Sequence, residues 1–195
     1  IIKKDPNLVA GGIDSLVTEL NYDITASRYS SRVTRFFTSG VLITDSISLV
    51  YNTSGKLSRE DEYIAAASLG NVFVPLSRTE FTWDLLGNVS QVSYSEADIS
   101  TGAPLQLFYV NGFTYDEKKN ALQIPINEAY GTGFYDMAGP NNVLKSVYSD
   151  KITQADSYTL DYLYEYNAKS KPASGVLTQT PDNATTGLRF TYSEF

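Results

Sequence analysis

The 195-residue chain contains neither histidine nor cysteine, so carboxylates, hydroxyls and phenols are the side chains left for chemistry. That removes the usual general base, the Ser-His and Cys-His nucleophile pairs and the commonest zinc ligand. Acids cluster at Glu60-Asp61-Glu62 and at Asp116-Glu117. Two carboxylates about 5–10 Å apart could hydrolyse a glycosidic bond. Adjacency in sequence does not build such a pair, and scattered acids are the ordinary surface of a chain with net charge −7. A calcium loop of the form Asp-x-Asp-x-Asp-Gly is absent from the sequence, as are a Gly-Lys-Ser/Thr phosphate loop and a dinucleotide fingerprint after a strand. The chain therefore reads as a non-enzyme without cofactor or metal. Its acidity argues against a basic face for nucleic acid or an anionic membrane surface.

Aromatic residues are the other chemical resource, at 13% of the chain with 15 tyrosines. Tyr158, Leu160, Tyr162, Tyr164 and Tyr166 recur with period two. Such a row is either the packed face of a sheet or a platform on which sugars stack. The segment 129–142, AYGTGFYDMAGPNN, sets Tyr130, Phe134, Tyr135 and Met137 among glycines. Loops on rigid sheets tend to carry function, so these four are the candidate ligand-binding residues. The competing reading is a lid over an open end or edge of the sheet. Three Asn-x-Ser/Thr triplets begin at Asn52, Asn88 and Asn183, where turn chemistry accounts for Asn without a glycan.

The elements that must position these residues are announced by a repeat. Tyr51-Asn52-Thr53-Ser54-Gly55-Lys56-Leu57 and Trp83-Asp84-Leu85-Leu86-Gly87-Asn88-Val89 share an aromatic, an Asn or Asp, a glycine and an aliphatic at fixed places. Weaker copies start at Tyr115 and Tyr166, where Lys119 and Ser170 replace the glycine. The steps 51 to 83 and 83 to 115 are both 32 residues, while 115 to 166 is 51, placing an insertion near 124–150. Asn or Asp accepting a backbone hydrogen bond, followed by a left-handed glycine, makes a hairpin turn. Alternating flanks such as Phe81 and Trp83 predict strands on either side. Further strands are expected at 32–37, 41–51, 56–63, 105–115, 151–154 and 173–179, with one short helical turn over Pro140–Lys145.

The ordered segments FTWDLLGNVSQV, FTYDEKKNAL, GPNNVLKSVYS, YLYEYNAKSKPASG and LRFTYSEF resemble the YD-repeat-like (Rhs-type hairpin repeat) exported lipoproteins of Bacteroidetes, over roughly residues 40–195. The resemblance implies an antiparallel sheet of successive hairpins. It also implies an exported life in the periplasm or at the outer membrane, attached through an N-terminal lipid anchor ahead of Ile1. No catalytic residues come with it.

The expectation is thus an all-β fold: an antiparallel meander of about ten strands built from YD-like hairpins and forming one large, curled sheet. Residues 1–30 are expected to be an irregular segment following a removed export signal or anchor, with residues 31–195 as a single domain. For function the first reading is a non-catalytic binding or scaffold module contacting a polysaccharide or an envelope protein. A purely structural β-repeat module comes second, and a carboxylate-only glycoside hydrolase third. That last reading requires two acids facing each other, one with a raised pKa.

Overall fold

Alternating apolar and polar residues become strands over most of the described chain. The computed structural model describes residues 2–3, 13–38, 40–120 and 139–191. Its strands are β1 (Ile2–Lys3), β2 (Ile13–Asp23), β3 (Arg28–Thr38), β4 (Val41–Tyr51), β5 (Leu57–Ala66) and β6 (Val74–Trp83), followed by β7 (Val89–Asp98), β8 (Ala103–Lys119), β9 (Asn141–Asp150), β10 (Tyr158–Tyr166), β11 (Pro172–Thr180) and β12 (Ala184–Arg189). The fold is an all-β antiparallel meander: the twelve strands are ordered β1 to β12, each hydrogen-bonded to the next in sequence. A short 3-10 turn, Ala67–Leu69, lies between β5 and β6.

Three expectations need correction. The segment 1–30 is not irregular throughout, because β2 begins at Ile13 and pairs with β3 from Ile13↔Thr38 to Asp23↔Arg28. Register shifts at Ile13/Ser15 and Asn21/Tyr22 break the period-two pattern that would have disclosed β2, since an extra residue moves later side chains to the other face. Residues 140–145 form no helical turn; β9 starts at Asn141. Residues 151–154 are a turn rather than a strand, closed by Asp150 Oδ1 accepting from the N–H groups of Ile152 at 2.7 Å and Thr153 at 3.1 Å.

The repeat is a hairpin device. Asn52 Oδ1 accepts from the N–H groups of Ser54 and Lys56, both at 3.0 Å. Asn167 Oδ1 accepts from those of Lys169 at 2.9 Å and Lys171 at 3.1 Å. Asp84 Oδ1 takes the Asn88 N–H at 2.8 Å. The fourth turn position is left-handed in each case: Gly55 at φ 78°, Gly87 at 96° and Ser170 at 57°. The third copy differs because its insertion lies inside the turn. β8 runs on to Lys119, Asp116 Oδ1 takes the Lys118 N–H at 2.9 Å, and it takes the Asn142 N–H at 3.1 Å. Asn142 therefore stands where Lys56, Asn88 and Lys171 stand in the other copies, and Tyr115 pairs with Val143. The ends of the insertion are held together by the Asn120 N–H donating to Pro140 O at 2.6 Å.

One further copy went unseen in the sequence. At the end of β2, Tyr22 precedes Asp23, whose Oδ1 accepts from the N–H groups of Thr25 and Ala26 at 2.9 and 3.0 Å. Ser27, one place later than the usual glycine, is left-handed at φ 52°. An aromatic-Asx pair thus stands at the end of β2, β4, β6 and β10, and three residues before the end of β8.

The repeat also supplies the core. Its closing residues Leu57, Val89, Val143 and Pro172 are all buried, Leu57 to 1% exposure and Val89 to 0%. Where one domain was expected, the chain divides into two compact units. Unit 1 comprises residues 1–80 and 94–106, and unit 2 residues 81–93 and 107–195. In a meander each strand mainly touches its sequence neighbours, so compactness is set locally. Unit 1 buries Leu57, Ala65 and Ala66, and unit 2 buries Phe81, Val89, Val92, Phe113 and Val143.

Candidate functional site

Strand pairing in unit 2 gathers the tyrosines onto one face. Directly paired residues point to the same side of a sheet. The pairs Asn111↔Tyr148, Phe113↔Ser146, Tyr115↔Val143 and Tyr158↔Tyr148 therefore put Tyr109, Phe113 and Tyr115 of β8, Tyr148 of β9, and the whole Tyr158–Tyr166 row of β10 on one side. The opposite side carries Lys145, Val147, Asp161, Leu163, Glu165 and Val176.

The tyrosines of this row are half-buried, and they cover one another. Tyr148 and Tyr158 are stacked with ring centroids 4.9 Å apart and planes 14° apart. Tyr109 lies 5.1 Å from Tyr148, and Tyr162 stacks on Tyr164 at 6.2 Å. Burial, followed by the neighbouring phenols Tyr148 and Tyr158, raises the pKa of Tyr109, so this phenol stays protonated at neutral pH. Tyr164 leans over Gly175, where a β-carbon would meet its ring at 3.2 Å and Leu163 O at 2.8 Å. Rings arranged in this way spend part of their faces on each other.

A polar ladder at the turns of unit 2 ties neighbouring hairpins together. Asn88, wholly buried, donates through Nδ2 to Asp84 Oδ2 at 2.8 Å and to Asn141 Oδ1 at 3.1 Å, and its Oδ1 accepts the Asn141 N–H at 3.0 Å. Burial works against the Asp84 carboxylate, but hydrogen bonds from the Asn88 side chain and from the backbone of Asn88, Gly87 and Leu86 together hold its pKa low. Asn142 Nδ2 donates to Asp116 Oδ2 at 3.1 Å, and the Tyr166 hydroxyl donates to the same oxygen. Tyr115 donates to Val89 O at 2.7 Å.

Unit 1 sets two acids on one face of neighbouring strands, Asp45 on β4 and Glu62 on β5. Asp45, on β4, is pushed up to about 6 by burial first and then by Glu62, with Arg32 opposing at 4.0 Å. Asp45 Oδ1 is buried without a hydrogen-bond partner, and strand register sets Glu62 diagonally opposite it on β5, on the same face of the sheet. Glu62 in turn accepts the Ser77 hydroxyl at 2.5 Å. Of the sequence cluster Glu60-Asp61-Glu62, strand alternation sends Asp61 to the other face. There it is clamped by Arg59 at 2.8 Å and Arg78 at 2.6 Å. Among the described residues, no group of three or more His, Cys, Asp or Glu is arranged to hold a metal ion.

The four loop residues picked from the sequence, Tyr130, Phe134, Tyr135 and Met137, lie outside the described residues. Tyr109 and Tyr148 were missed as partners of the Tyr158 row. Their signal was present in the alternation of β8 and β9, but the register that joins them to Tyr158 depends on where the insertion closes.

No family model matches the chain, and no curated protein matches it. Among solved structures it is similar to a DUF3836 family protein from Parabacteroides distasonis, at 17% identity over 49% of this chain and 88% of that one, with a TM-score of 0.37. It is also similar to a porin-like protein from Bacteroides uniformis, at 10% identity over 80% of this chain and 91% of that one, with a TM-score of 0.29. At these values neither assigns the chain to a family.

Proposed function

We propose that the protein is a non-catalytic binding or scaffold module of the bacterial cell envelope, and that its partner docks on the tyrosine face of unit 2. The observation that carries this reading is the half-buried row Tyr109–Tyr148–Tyr158, continued by Tyr162, Tyr164 and Tyr166 on the same side of the sheet. Tyrosine offers large contact area at low conformational cost, with a polar tip. The envelope location, with export to the periplasm or outer-membrane surface and a lipid anchor, rests on the resemblance of the repeat order to exported lipoproteins.

Between the two partner classes, a protein surface fits better than a stacked sugar. Sugar stacking uses open ring faces, and the 14° stack of Tyr148 on Tyr158 uses those faces internally. A polysaccharide remains the second partner class, engaged by hydroxyls and ring edges. A thermal-shift screen against soluble glycans separates the two. A ligand at ~100 times its dissociation constant adds roughly 2.7 kcal/mol of stability. A saturable shift that disappears in Tyr148→Ser/Tyr158→Ser assigns a glycan, and a flat screen leaves the protein partner.

The glycoside hydrolase reading has one favourable observation, the raised pKa of Asp45 beside Glu62. Asp45 Oδ1 is buried and Glu62 Oε2 is taken by the Ser77 hydroxyl, which leaves the pair poorly placed to reach a glycosidic oxygen, and the non-catalytic reading is preferred for that reason.

A further inference from the structure

Unit 1 carries a second feature, independent of the tyrosine face. The turn after β7 and the start of β8 meet the start of β6, enclosing a half-open pocket of about 500 Å³ lined by Leu69, Val74, Pro75, Ile99, Pro104 and Leu105. That volume falls in the range of small-molecule sites, roughly 300–1,000 Å³. The lining is aliphatic, with Ala97 and Ala103 leaving the space that larger side chains would fill.

Asp98 is the sole charged residue of the lining. Its carboxylate accepts from the Ser100 N–H at 2.9 Å, the Ser100 hydroxyl at 2.6 Å, the Thr101 N–H at 3.3 Å and the Thr101 hydroxyl at 2.8 Å. These four donors, the Ser100 hydroxyl foremost, bring its pKa down to about 2. Asp98 is therefore a fixed negative charge held in place by its own turn. It repels an anionic head group.

We infer that this pocket binds the hydrocarbon chain of a single-chain aliphatic ligand whose head group is not anionic. Burying methylenes against an aliphatic wall is favourable by the area removed from water, and the rim charge selects against carboxylate or phosphate heads.

The test is a titration of the whole chain with monolauroylglycerol and, separately, laurate, each below its micelle concentration, read by methyl carbon–proton spectra. Saturable shifts at Leu69, Val74, Ile99 and Leu105 are expected with the neutral probe, and weaker binding with laurate. Ala103→Trp fills the pocket and should weaken binding at least about tenfold; circular dichroism checks that the variant is folded, and the shift map of the unaltered chain locates the site whatever the variant does. The inference is overturned by the absence of saturable shifts, by shifts centred on Leu163 and Val176 instead, by laurate binding as tightly as the neutral probe, or by unchanged affinity in folded Ala103→Trp. Shifts that track protein concentration without probe would assign the pocket to a second copy of the chain and overturn it equally.

Discussion

Tyr166 donates its phenolic hydrogen to Asp116, fifty residues earlier, and so ties the fourth hairpin of the repeat to the third. Burial first, and then this bond and the charge of Asp116, push the phenol's pKa above its ordinary value. Tyr166→Phe removes the bond and leaves a carboxylate oxygen to Asn142 alone. A hydrogen bond to a charged group contributes about 1.5–3 kcal/mol. The expected loss in urea unfolding is about 1–2 kcal/mol, because the site is partly exposed. An unchanged midpoint would mean the two hairpins are not coupled through this pair.

Asn88 is the most heavily committed residue of the polar ladder. Asn88→Ala removes the partner of the Asn141 N–H and of one Asp84 oxygen in a partly buried site. Expected destabilisation is about 2–3 kcal/mol. Gly139→Ala should behave similarly, since its β-carbon would lie 3.0 Å from the Asn88 α-carbon. Both are measured by chemical denaturation against the unaltered chain.

Ser170 occupies the left-handed place that Gly55 and Gly87 fill in earlier copies. A non-glycine residue there costs roughly 1 kcal/mol. Ser170→Gly is expected to stabilise by a similar amount, and Gly55→Ala to destabilise. A destabilised Ser170→Gly chain would show that the serine contributes something beyond the turn.

Turn chemistry is the reason so much of the fold was legible. Asn52, Asp84 and Asn167 act on backbone within four residues, so sequence alone exposes their hairpins. The third copy misled because its turn is interrupted: Asp116 finds its closing partner at Asn142, beyond the insertion, and no local pattern connects them. The Tyr22-Asp23 copy stayed hidden because its turn is one residue longer and closes on Ser27 instead of glycine. The tyrosine row on β10 could be read from period two, but its neighbours Tyr109 and Tyr148 could not. Which strand abuts which residue depends on register, and register is set by the bulge where Thr114↔Lys145 gives way to Tyr115↔Val143. Asp45 gave no sequence signal, since its raised pKa comes from burial and from Glu62 on the adjacent strand.

Asp45 makes stability depend on pH in a definite direction. Its folded pKa of about 6 lies above the ordinary 3.8, so between those values the folded state holds the proton more tightly. Stability then falls as pH rises through that window and stays lower above it. Two pH units correspond to about 3 kcal/mol, reduced by partial exposure to about 1–2 kcal/mol. Asp45→Asn should therefore stabilise the chain by that amount at pH 7–8 and by almost nothing below pH 4. A pH-independent difference between the two chains would contradict the assignment.

The central claim is that the tyrosine face of unit 2 is the surface that meets a partner. Its most direct measurement places a photo-crosslinking amino acid at position 148 or 162 on that face, and at position 163 on the opposite face, where Leu163 is 73% exposed, in the native cell. The account predicts a discrete adduct with one envelope component from 148 and 162 and none from 163. Equal adducts from both faces, or none from either, would contradict it.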